Sequence, residues 1–121
     1  MNQTFDYYMY EIHDTSKEYE ISLLPISGGN PDLVYTLDPF NKFPTPKDKG
    51  VHKSDHLFSK DSLIVTKEMI KEEIGQLKRM ARDDHDKAMP LTVYIGVYTR
   101  SQMAIYSLVM TKIVDFNPVK L

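Results

Sequence analysis

The sequence predicts an α+β domain: an antiparallel β-sheet of four to five strands, built as two hairpins, with one main α-helix packed on one face. Three stretches carry this expectation. Leu91 to Val114 holds two β-prone runs across a short polar break. Glu18 to Leu23 alternates apolar and polar residues with period two. Ile70, Ile74, Leu77 and Ala81 recur at helical spacing. Runs of strands with a single helix place that helix against an antiparallel sheet.

Taken in order, Phe5 to Ile12 is aromatic-rich, with Phe5, Tyr7 and Met9 on one side and Tyr8, Tyr10 and Ile12 on the other. His13-Asp14-Thr15-Ser16-Lys17 is a polar turn. Beyond it, Tyr19, Ile21 and Leu23 point one way, and Glu18, Glu20 and Ser22 the other. One dry and one wet face is the mark of an antiparallel strand, so the two segments form the first expected hairpin. Ser27-Gly28-Gly29-Asn30-Pro31 is the strongest turn signal in the chain, and Leu33 to Leu37 reads as a short third strand.

The region 38–61 differs in kind. Its 24 residues carry Pro39, Pro44, Pro46 and Gly50, five lysines (Lys42, Lys47, Lys49, Lys53, Lys60) and two histidines. No periodicity is sustained, so the sequence gives a long loop with at most a helical turn near Ser54 to Phe58. Connections of this length inside compact domains are usually functional or disordered.

The helix is expected over about Thr66–Asp83. Thr66 is the N-cap, and Val65 and Ile70 have the spacing of a hydrophobic staple. Met69 and Met80 widen the apolar stripe. Glu68, Glu72 and Glu73 stand near the start and Lys78, Arg79 and Arg82 near the end, the order that suits the helix dipole. Gly75 is either simply tolerated or admits a close neighbour. Asp83-Asp84-His85-Asp86 breaks the pattern, and Pro90 separates the helix from the second hairpin. There Val93, Ile95 and Val97 alternate with Tyr94, Gly96 and Tyr98. After Thr99-Arg100-Ser101-Gln102 come Ile105, Val109 and Ile113 on one side and Tyr106, Leu108 and Met110 on the other. Asn117-Pro118 ends the last strand.

With 121 residues and 14.0 kDa, the chain reads as a single domain over 1–121. It has no cysteine, which removes disulfides and thiolate metal sites. Its start lacks a basic segment followed by an apolar run, and no apolar run approaches the roughly 20 residues that span a bilayer, so a cytoplasmic setting without membrane contact is expected. Fifteen basic against seventeen acidic residues leave a net charge of −2, too balanced to choose a nucleic-acid partner.

Catalytic constellations are not evident. His52 and His56 are four apart with Asp55 between them, but the glutamate of HExxH is missing and the third ligand would have to be His13, His85 or an unassigned carboxylate. The Asp83–Asp86 cluster lacks the glycine and terminal glutamate of an EF-hand loop. Gly28-Gly29 stands alone without a phosphate-binding pattern, and no serine sits in a GxSxG elbow. The sequence thus favours binding over catalysis and calls for no metal and no cofactor.

Eight tyrosines without a tryptophan are the distinctive feature. Period-two geometry puts Tyr94 and Tyr98, with Arg100, opposite Val93, Ile95 and Val97. If those aliphatics face the helix, the tyrosines look outward, and Tyr8 and Tyr10 extend the surface should the first hairpin join the same sheet. Tyrosine and arginine suit interface hot spots; tyrosine is also an ordinary strand residue that can lie half-buried beneath a long loop. The expectation is a protein-binding module that occupies a partner protein's surface. Small inhibitors, immunity proteins and anti-defence factors of phage or mobile-element origin act in that way, and homodimerisation is compatible with the sequence. The alternatives are a small hydrolase or ligand-binding domain with its site under the 38–61 loop, and a single-strand nucleic-acid binder stacking bases on the tyrosines.

Overall fold

A computed structural model describes residues 4–27, 31–54, 61–80, 91–99 and 105–113. Its elements, in order, are β1 (Thr4–Glu11), β2 (Glu18–Ser27), β3 (Asp32–Thr36), β4 (His52–Ser54), β5 (Asp61–Val65), α1 (Lys67–Met80), β6 (Thr92–Thr99) and β7 (Ile105–Ile113). The strands form two antiparallel sheets, one ordered β1-β6-β3-β4 and the other β5-β2-β7. The expected α+β class is therefore correct.

The pairing differs from the two expected hairpins. β1 pairs with β6, more than eighty residues away, in a register that sets Tyr8 against Ile95 and Tyr10 against Val93. β2 pairs instead with β5 and β7. β6 and β7 likewise belong to different sheets. Neither connection carries the two-residue Gly or Asn-Gly turn that holds adjacent strands together. In the first of them Asp14 builds a local turn, its Oδ1 accepting from the backbone N–H and the hydroxyl of Ser16. The region 38–61 also contains β4 and the first residue of β5, strands too short to show a period.

The two sheets share one core. Leu33, Tyr35, Val93, Ile95 and Val97 come from the first; Tyr19, Ile21, Leu23 and Val65 from the second. Ile70 and Leu77 of α1 join them, with Ile74 and Met69 partly buried alongside. Thr66 caps the helix as expected, its hydroxyl accepting the N–H of Met69 at 3.2 Å. Glu18 adds a second cap by accepting the N–H of Lys67 at 3.0 Å. Val65 and Ile70 are both fully buried, as a staple requires. Met80 is exposed and so does not widen the stripe, and Ala81 and Arg82 lie outside the described residues. Among the described residues, a Cβ on Gly75 would meet only the tip of Arg79 at 3.6 Å, so none of them is a close neighbour that explains that glycine. Tyr35 ties helix to sheet: its hydroxyl donates to the Ile64 carbonyl at 2.8 Å and lies 3.3 Å from the Met69 sulfur. No helix among the described residues is long and apolar enough to cross a membrane.

Candidate protein-binding surface

The side chains of β6 that face away from the core do not form an open tyrosine surface. Phe5, Tyr7, Tyr94, Gly96, Tyr98 and Val34 share this face by register. The chain between β3 and β4 lies across it. The Phe43 ring meets Tyr7 edge-on at 5.2 Å. A Cβ on Gly96 would stand 3.0 Å from the Pro44 carbonyl oxygen, so the glycine lets the backbone close down on the sheet. Asp48 pins the connection by accepting from the Thr45 N–H, the Thr45 hydroxyl and the Asn41 amide. These bonds, the Thr45 N–H first, hold its carboxyl below the ordinary aspartate value.

As a result Tyr98 is only 7% exposed, stacked on Phe5, and Tyr94 is half-buried. The two side chains lie on the expected face, away from the core, but the expectation that this face is open is thereby corrected. Arg100 lies outside the described residues. Tyr8 and Tyr10 are exposed, yet they point to the opposite side of the sheet from Tyr94 and Tyr98, so the five residues do not make one surface. Tyr8 instead joins the two sheets. Tyr106 of β7 donates to Asp6 at 2.8 Å, which leaves Tyr8 to donate to Tyr106 at 2.5 Å. Burial and these two neighbours push the Tyr106 hydroxyl far above the ordinary tyrosine pKa.

The open surface is the outer face of β5-β2-β7. Because Tyr19, Ile21 and Leu23 point into the core, Glu18, Glu20, Ser22 and Leu24 point out. The register sets Ile64 and Thr111 on either side of Glu20, Val109 beside Ser22, Ser107 beside Leu24, and Ile113 beside Glu18. Leu24, Ile64, Ile105, Val109 and Ile113 are all exposed, Leu24 and Val109 by about half, and Leu24 and Val109 are diagonal neighbours. Ser22, Ser107 and Thr111 alternate with these aliphatics on the face. Its sequence signal was the strand 105–113, where both alternating sides are apolar although only one can face the core.

A second concave feature lies between α1 and the β3–β4 connection, an open cleft of about 470 Å³. Asp38, Glu72 and Glu73 stand on it together with Lys49, His52 and Phe40. Burial, followed by the charges of Asp38 and Glu72, raises the Glu73 carboxyl above its usual range. The His52 ring stacks on Tyr35 at 4.8 Å, and burial lowers its pKa. His56, Asp55, His85 and the Asp83–Asp86 cluster lie outside the described residues, among which no group of three metal-ligating side chains occurs.

No protein-family model matches this chain, and no characterised protein or solved structure is significantly similar to it.

Proposed function

We propose that the chain is a non-catalytic protein-binding module that acts by occupying a partner protein's surface, as an inhibitor or immunity factor would. The observation that supports this is the aliphatic outer face of β5-β2-β7, where Leu24, Ile64, Val109 and Ile113 stay exposed although the core is complete without them. Exposed apolar patches on soluble domains tend to mark interaction sites. Full burial of a valine or leucine side chain contributes about 1.5–3 kcal/mol, so covering side chains already half-buried contributes about half as much each.

The test is affinity capture from native lysate with nuclease treatment, comparing the wild-type chain with Ile64→Lys and Val109→Lys. A partner held by the wild type and lost from both variants, with unchanged unfolding midpoints, supports the proposal. Capture that ignores both substitutions, or that vanishes with nuclease, contradicts it. The cleft beside α1 supports a second reading, a ligand-binding domain whose site lies under the 38–61 region, because Glu73 gathers like charges there with no cation paired to it among the described residues. In that case Glu73→Gln, rather than Val109→Lys, would remove the activity.

A further inference from the structure

We infer that the partner at the free edge of β7 is a second copy of this chain, paired antiparallel to the first about a twofold axis through Val109. This rests on the protein-binding reading of the same sheet and names its occupant. Among the described residues β7 is the terminal strand of its sheet and the longest such edge, nine residues, with Lys112 as its single charged side chain. Edges of this length are usually blunted by charge, proline or brevity. The other edge of the same sheet, β5, has only five residues, while edge strand β1 of the larger sheet carries Asp6 and Glu11.

The sequence of β7, IYSLVMTKI, is self-complementary about its centre. Laid antiparallel on itself with Val109 opposite Val109, it sets Ile105 against Ile113 and Ser107 against Thr111 on the outer face. On the inner side it sets Leu108 against Met110 and Tyr106 against Lys112. Aliphatic meets aliphatic, hydroxyl meets hydroxyl, and each match occurs twice, as an isologous interface demands. Ile105, Val109 and Ile113 stand in solvent in the single chain, and each would gain an aliphatic neighbour across the new strand pair.

Charge agrees with this register. Tyr106 holds the Asp6 carboxylate through its hydroxyl, and the Lys112 of the second copy would arrive beside it. Among the described residues of its own chain Lys112 reaches only the partly exposed Asp14, at 3.6 Å, so it is available to turn toward that carboxylate. The six-stranded sheet β5-β2-β7-β7-β2-β5 would then carry one continuous aliphatic strip. A single strand edge covers less than the roughly 800 Å² per partner of a standard interface, which implies a weak, micromolar dimer.

The experiment is sedimentation equilibrium of the purified chain from about 1 to about 100 μM, the range such an interface requires. The wild type should pass from monomer to dimer. Val109→Lys and Val109→Glu, each placing like charges across the axis, should each weaken self-association by about thirtyfold or more, equivalent to about 2 kcal/mol. Mixing the two variants should restore a dimer, because opposite charges then meet at the axis. A wild type that stays monomeric, a Val109→Lys protein that still dimerises, or a mixture that stays monomeric would overturn the inference. Loss of a captured partner from Val109→Lys while the wild type is monomeric would overturn the second copy alone and leave the protein-binding reading standing.

Discussion

Single side chains in this molecule are held by identifiable forces, and two carboxylates make the point through pH. Asp48 has its pKa lowered by bonds from Thr45 and Asn41. Its contribution to stability is complete above the ordinary value of 3.8 and is lost as pH falls through the lower folded value. Asp48→Asn should therefore lower the unfolding midpoint at neutral pH, with a smaller difference from wild type below pH 3.8. Glu73 has the opposite sign: its raised pKa means that stability is fully present below the ordinary 4.5 and is lost as pH rises through the folded value. Glu73→Gln should raise the midpoint at pH 7, and the gain should vanish in acid. Denaturation of both variants across pH checks the two signs together. Gly96→Ala belongs at the same scale. Its new Cβ would stand 3.0 Å from the Pro44 carbonyl and from Val34, so the loop or the sheet must move, at about 1–3 kcal/mol.

At the scale of elements, helix α1 is fixed by its caps and by two buried side chains. Leu77→Ala should cost about 2–5 kcal/mol in chemical denaturation, because the site is buried among core residues of both sheets. The Tyr106 bridge between β7 and β1 is also testable. Tyr106→Phe leaves the ring but removes bonds to Tyr8 and Asp6, a loss of about 1 kcal/mol that the same titration would read. The elements themselves were largely legible. Period-two alternation revealed β1, β2, β6 and β7, and Thr66 with its staple revealed the helix start. Pairing was not legible, because alternation tells which side of a strand is dry and says nothing of which strand lies beside it. The joining of Thr4–Glu11 to Thr92–Thr99 is such a case. β4 and β5, of three and five residues, are too short to display a period. For the candidate site, Tyr94 and Tyr98 were assigned to the correct face, but their cover was foreshadowed only by Gly96, a glycine inside a strand. The aliphatic face of the other sheet was half legible, in the two apolar sides of 105–113.

For the whole molecule, the core binds two sheets and a helix into one body while leaving one aliphatic face and one long strand edge without a partner among the described residues. The chain that covers the tyrosine face of β6 is rich in exposed lysines and also carries the exposed rings of Phe40 and Phe43. In the proposed function, a partner protein's surface lies against the aliphatic face of β5-β2-β7. The most direct measurement is photo-cross-linking in native lysate from a photoreactive side chain placed at Val109, compared with one placed at exposed Lys78 on α1. A discrete protein adduct from position 109, absent from position 78, is the expected result. Equal adduct patterns from both positions, or none at 109, would contradict the assignment of this face as the binding surface.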